Sequence, residues 1–318
     1  MTEFGYKLSS EEHGPRELVG FAHRAEGAGF TFAAISDHFH PWIDKQGHSP
    51  FVWGVLGGIA QTTDSLKLLT AVTCPTIRMH PAILAQAAAT AAVMLQGRFT
   101  LGVGSGENLN EHITGERWPR LPVRLEMLEE AIKVMRKLWE GGQRSHRGRH
   151  YTVENARIYD LPKDPIPVAV AASGKKSAEL AARIADGLVA VAPNRELAES
   201  FRTAAGDDKP RYAEVNVCWA ADEIEARRTV YEWWPVAGFK GQLMQELALP
   251  SFFQSGAEMV SEEDAVESVA CGPDPQVHVA EIRKFVDAGF DHVFIHQIGP
   301  DQNGFFDFYE NEVLPKLK

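Results

Sequence analysis

Three short stretches of this chain hold residue types able to move protons or grip a polar ligand. The run Ser36-Asp37-His38-Phe39-His40-Pro41-Trp42 offers a carboxylate, two imidazoles and an indole. Imidazole accepts or returns a proton near neutrality, so His38 and His40 are both candidate general bases. Loop histidines satisfied by local hydrogen bonds are the ordinary alternative. The run Gly102-Val103-Gly104-Ser105-Gly106-Glu107-Asn108-Leu109-Asn110 sets Glu107 behind glycines that let a flat or extended ligand approach the backbone. A tight turn with a solvated glutamate would read the same way. Ser173-Gly174-Lys175-Lys176-Ser177 joins free N–H groups at a helix start to two ammonium groups, which suits an anion such as phosphate. A capped helix start with solvated lysines is the plainer reading.

Two other chemistries are excluded. The Gly102-x-Gly104-x-Gly106 spacing lacks the further glycine of a dinucleotide-binding turn, because Glu107 stands there. Asp37, His38, His40 and His48 could be imagined around a metal, but Asp37 and His38 are adjacent at a strand end and diverge, so no metal is expected.

Each stretch needs a strand to deliver it. Thr31 to Ser36 is an apolar run that turns polar at its end, the pattern of a buried strand handing titratable groups to a loop. Similar strands are predicted at Gly5 to Leu8, Leu66 to Val72, Phe99 to Val103, Val168 to Ala172, Gly187 to Val191, Ala213 to Ala220 and His292 to His296. Helical segments alternate with them, the clearest being Val123 to Glu140, whose Leu125, Leu128, Ile132, Met135 and Leu138 form one stripe. Eight strands in strict alternation with helices predict a (β/α)8 TIM barrel, whose strand C-termini form one ligand face. Ala28-Gly29-Phe30 and Ala288-Gly289-Phe290 each lead through an apolar run to a histidine, a faint echo between like modules. One domain over 1–318 is expected, with insertions at about 141–165 and 234–272, the latter without clear periodicity.

The net charge of −11 and the absence of a basic stripe argue against nucleic acid as a partner. No continuous apolar run is long enough for a membrane span, and the polar start has no signal-like apolar core, so a cytoplasmic protein is expected. Cys74, Cys218 and Cys271 fit neither a disulfide framework nor a zinc site.

Over nearly its whole length the chain resembles the deazaflavin-dependent branch of the bacterial-luciferase-like superfamily, most closely the coenzyme F420-dependent glucose-6-phosphate dehydrogenases. The resemblance is carried by Gly5-Tyr6-Lys7 with Pro15-Arg16-Glu17-Leu18, by Ser36 to Trp42, by Pro75-Thr76-x-Arg78, by Gly102 to Asn110 and by Ala185-Asp186-Gly187. It implies a homodimeric barrel holding coenzyme F420 at the strand C-termini. Asp37, Cys74, Ser105, Gly106 and Asn110 would line the cofactor, and Ser173, Gly174, Lys176 and Ser177 would take its phosphate. A cis peptide at Ala71-Val72 would bulge against the ring. The implied reaction is hydride transfer from a carbinol carbon, with His38 taking the hydroxyl proton, Glu107 serving the ring nitrogen and Trp42 packing over the reacting carbon.

Departures from that family's pattern bear on the substrate. Its sugar-phosphate members hold the phosphate with cations and a threonine, where this chain has Val191, Asn194, Met244 and Ser268. Phosphate is usually met by cations, so a small unphosphorylated alcohol is expected. Trp233, Trp234, Phe239, Phe252 and Phe253 either give that site an apolar wall or merely pack the insertion. The alternatives are a sugar-6-phosphate dehydrogenase using Lys240, an FMN-dependent monooxygenase, and a non-catalytic deazaflavin-binding protein.

Overall fold

Side chains in a strand alternate between two faces, and the first strand shows what each face is for. In β1 (Glu3–Leu8), Tyr6 and Leu8 point outward into the main apolar layer, while Gly5 and Lys7 face the other way. The computed structural model describes residues 2–317 and closes eight parallel strands into a barrel. The others are β2 (Phe32–Ile35), β3 (Lys67–Thr70), β4 (Phe99–Val103), β5 (Val168–Ala171), β6 (Gly187–Ala190), β7 (Arg211–Cys218) and β8 (His292–Gln297). Strands β1 to β7 pair in sequence order, β7 pairs with β8, and β8 pairs with β1, so no barrel edge is left open.

The lumen is filled at its lower level by Phe32, Ala34, Leu69, Ala169, Val189, Tyr212 and Phe294. Gly5 leaves space there for the Phe32 ring, with which any side chain would collide. Outside the barrel, helices Pro15–Gly27, Val52–Thr62, Pro81–Met94 and Leu121–Trp139 bury their apolar stripes on the strands. The echo in the sequence is a repeated helix stop. Gly29 and Gly289 adopt φ of +89° and +102°, and Phe30 and Phe290 donate back to the carbonyls of Ala25 and Phe285, turning each chain into the next strand.

All eight predicted strands are present, with shifted ends. Strand three is the instructive case, since its ladder stops at Thr70 rather than reaching Val72. Thr70 Oγ1 takes over by donating to the Gly102 carbonyl at 2.8 Å and accepting its N–H at 2.9 Å, and the backbone rejoins β4 only at Thr73. Ala71, whose N–H still donates to the Ile35 carbonyl at 2.7 Å, and Val72 are joined by a cis peptide bond and are thereby left out of the pairing with β4, against the lumen.

Two excursions depart from the alternation. Arg144–Arg147 and Thr152–Ala156 form a hairpin whose Tyr151 hydroxyl donates to the Thr76 carbonyl at 2.9 Å. After β7 and the helix Glu223–Trp233, the illegible segment folds into short helical pieces, Pro235–Gly238, Leu243–Glu246, Pro250–Ala257 and Glu262–Val266. It returns through a two-residue strand, Ala270–Cys271, beside Val217 and Cys218. A C-terminal helical run from Gln302, which the periodicity reading passed over, packs Phe305, Phe306 and Tyr309 around Tyr6 and Phe30.

Candidate active site

The loops after β2, β3, β4 and β5 meet around a cavity of about 560 Å³. His38 forms part of its wall and is 9% exposed. Its Nδ1 lies 3.2 Å from the His40 carbonyl, an acceptor, so Nδ1 bears the proton and Nε2 faces the reactive side. There Nε2 stands 3.3 Å from Glu11 Oε1 and 3.4 Å from Glu107 Oε2. Both partners are carboxylates, so the three groups compete for a shared proton.

Their surroundings split the roles. Burial pushes Glu11 up, but His38, Lys7 and the Ser36 hydroxyl at 2.5 Å outweigh it and bring its pKa down to about 2. Burial raises the Glu107 pKa, with the nearby His38 opposing the rise. Glu107 keeps about 32% of its side chain open toward the cavity, whereas Glu11 keeps 3%. The arrangement is therefore a fixed anion, an imidazole and a second carboxyl able to hold a proton.

The other predicted base does not compete. His40 Nδ1 is 3.0 Å from the Leu109 carbonyl, the ring stacks on His112, and it does not line the cavity. Trp42 is buried between His38 and Phe253, with ring centroids at 4.8 and 5.1 Å, and supports the imidazole from behind rather than reaching the cavity wall.

Asp37 does line the cavity, but both of its oxygens are engaged. Arg78 donates to one at 2.9 Å and Thr73 to the other at 2.7 Å. Arg78 also lies 3.6 Å from Glu111, giving a buried triad beneath the loops. Asn110 is similarly occupied, accepting the Phe39 N–H at 2.8 Å and donating to Glu107 at 3.0 Å. It brackets the imidazole loop to the glycine loop.

Ala71, Val72, Cys74, Ser105 and Gly106 all face the cavity. A Cβ at Gly104 would meet Val72 Cγ2 at 2.8 Å, so the glycine loop and the Ala71-Val72 bulge form a narrow slot only without side chains there. Ser173, Gly174, Lys175, Lys176 and Ser177 complete one end of it. The Ser177 hydroxyl donates to the Gly174 carbonyl at 2.9 Å, which fixes the turn. Among the described residues no carboxylate lies within 4.0 Å of either lysine. A slot for a flat ring ending in two unpaired cations fits a phosphate-bearing deazaflavin.

Of the four positions matched to the family's substrate-phosphate contacts, only Val191 is on the cavity, where it is 70% exposed, and Trp42, the fifth expected substrate residue, lies behind the wall. Asn194 is the N-cap of the helix Arg195–Ala205, its Oδ1 accepting the Leu197 N–H at 3.0 Å. Met244 packs into the second excursion, and Ser268 is exposed near its end. Neither faces the cavity, and instead Gly241, Gln242 and Gln245 reach it. Of the aromatic group, Trp234 and Phe253 are buried in the excursion's own core, with Trp233 and Phe239 packed against it, and Phe252 is half exposed. Asn194→Ala should therefore cost about 0.5–2 kcal/mol in denaturant unfolding and leave KM for the alcohol unchanged. A raised KM without lost stability would restore its substrate role.

The sequence reading passed over Glu11 and Lys7. Ser9-Ser10-Glu11-Glu12 directly follows β1, so it shows the same polar switch at a strand end as the other loops.

Residues 1–292 match the family described as luciferase-like monooxygenase. An F420-dependent glucose-6-phosphate dehydrogenase from Microbacterium testaceum is 36% identical over 99% of this chain and 97% of its own length. One of the same name from Nakamurella multipartita is also 36% identical, covering 99% of this chain and 96% of its own. Among solved structures, an F420-dependent secondary alcohol dehydrogenase in complex with an F420-acetone adduct superposes with a TM-score of 0.91 at 32% identity, covering 100% of this chain and 99% of that one. A coenzyme F420-dependent tetrahydromethanopterin reductase from Methanopyrus kandleri shares the fold, with a TM-score of 0.80 at 22% identity, covering 100% of this chain and 99% of its own.

Proposed function

The chain belongs to the luciferase-like monooxygenase family, and from that premise we propose that it is an F420-dependent oxidoreductase of CH–OH groups acting on a small unphosphorylated secondary alcohol. The observation carrying the reading is His38, held on the cavity wall with Nε2 between Glu11 and Glu107.

The bound deazaflavin supplies the hydride acceptor. The Ala71-Val72 bulge and the Gly104 to Gly106 loop would hold its ring, and the Ser173 to Ser177 turn would hold its phosphate. His38 Nε2 receives the hydroxyl proton as the C–H bond is broken, and the Glu11 carboxylate stabilises the imidazolium. Asn110 keeps Glu107 beside that proton by donating to it. Trp42 and Phe253 pack behind the imidazole and limit its contact with water.

The absence of phosphate in the substrate is supported by Val191, an apolar wall where a sugar phosphate would need polar contacts. Lys240, the candidate substitute cation, is largely exposed 3.6 Å from Asp264 and off the cavity. The relatives named glucose-6-phosphate dehydrogenase favour the rival substrate. A deazaflavin absorbance assay should give at least about tenfold higher kcat/KM with small secondary alcohols than with glucose 6-phosphate, the gap expected from about 1.4 kcal/mol of lost phosphate recognition. The reverse ranking would establish the sugar-phosphate reading. FMN binding with oxygen consumption, and no F420 binding, would overturn both.

A further inference from the structure

At the floor of the cavity, which Glu214 helps to line, the upper lumen of the barrel holds a second set of ionisable groups. Lys7 points inward from β1 and is 6% exposed. Its Nζ lies 2.9 Å from Glu214 Oε2 on β7 and donates to the Ala71 carbonyl at 3.4 Å. The other Glu214 oxygen is 3.7 Å from His296 Nδ1 on β8. His296 Nε2 is 2.6 Å from Glu12, and Trp234 covers the ring at 4.5 Å. Inward positions of β1, β7 and β8, with the loop after β1, thus link Glu12, His296, Glu214 and Lys7 in one chain of contacts. A buried ion pair of this kind gives little net stability over apolar packing. Its ammonium end lies under the ligand slot.

We propose that Lys7 is a positioning residue for the reaction: held by Glu214, it anchors the Ala71 carbonyl behind the slot and supplies the positive charge faced by the two carboxylates that flank His38. This rests on the proposed function above. Around His38 the facing charged groups are Glu11, Glu12 and Lys7 from β1 and its loop, Glu107 after β4, Glu214 on β7 and His296 on β8. Asp37 is neutralised by Arg78. Lys7 counts among the charges that lower the pKa of both Glu11 and Glu107. Without it the cluster becomes more negative and retains its proton to higher pH.

The test uses Lys7→Met, which removes the positive charge alone, Glu214→Gln as the change of opposite sign, and Lys7→Arg as the conservative replacement. Lys7→Met should move the acid limb of kcat/KM for alcohol oxidation up by about one pH unit. That is a roughly tenfold loss on the acid side and little change on the alkaline side. The imidazole titration of His38, followed by NMR without cofactor and assigned with His38→Asn, should move the same way. Fluorescence titration should show weaker F420 binding through the loosened bulge, and Lys7→Arg should keep the limb near its original place. Glu214→Gln removes a negative charge and should move the limb and the NMR midpoint down, so it tests the sign if Lys7→Met does not fold. A folded Lys7→Met variant with both midpoints unmoved, or an upward shift in Glu214→Gln, overturns the proposal. If the unaltered protein neither binds F420 nor oxidises alcohols, the functional reading fails, while the NMR titration still decides the role of Lys7.

Discussion

Replacing His38 with alanine should lower alcohol oxidation by about 10²–10⁴-fold, the usual contribution of a positioned general base. The prediction follows from geometry, since His38 is the imidazole on the cavity wall and its Nδ1 is committed to the His40 carbonyl. Removing the ring leaves Glu11 and Glu107 as possible acceptors. Glu11 loses the His38 contribution in this variant but is still held down by Lys7 and the Ser36 hydroxyl, so it is a weaker base than the imidazole it would replace. Alanine also opens space beside Trp42, so His38→Asn is the companion variant, keeping a donor for the His40 carbonyl. Both should bind oxidised F420 with affinity within a few-fold of the original, measured by fluorescence, while single-turnover reduction of the cofactor slows. Turnover within threefold of the unaltered protein, with folding intact, would remove His38 from the chemistry.

The largest stability loss is expected at Arg78. Its guanidinium reaches Asp37 at 2.9 Å and Glu111 at 3.6 Å, and the side chains of both carboxylates are 0% exposed. Taking away one partner of a buried pair leaves an uncompensated charge and typically costs about 3–5 kcal/mol. Arg78→Met should therefore lower the unfolding free energy by that amount in urea titration. Burial already raises the Glu111 pKa against the pull of Arg78 and two backbone N–H donors, so the orphaned carboxyl would be driven to protonate. Adding Asp37→Asn and Glu111→Gln should recover part of the loss. A change below about 1 kcal/mol would mean that the triad is hydrated.

The barrel was readable because each strand is a compact apolar run and its end is marked by an abrupt change of polarity, as at Ser36 and Gly104. The same switch after Leu8 went unused, which is why Glu11 was missed. Partners across the lumen, such as Lys7 and Glu214, are 207 residues apart and become neighbours only when the barrel closes. Asn194 and Met244 were placed by resemblance alone, and their real duties, a helix cap and packing, are set by local geometry. The segment after Trp234 was opaque because its helical pieces are four to eight residues long, too short for a 3.6-residue period to register.

The pairing of Ala270–Cys271 with Val217 and Cys218 has an evolutionary consequence. Neighbouring strands lie about 4.8 Å apart, so the long excursion starts and finishes at nearly the same point on the barrel. A cassette with adjoining ends can be lengthened, shortened or exchanged with little effect on its attachment, since doubling a flexible loop costs only about 0.6 kcal/mol in closure entropy. Gln242 and Gln245 on that cassette help wall the cavity, whereas His38, Glu11 and Glu107 lie outside it. That part of the cavity wall can thus be exchanged as one stretch of chain, provided that the packing of Phe253 on Trp42 and of Trp234 on His296 is kept.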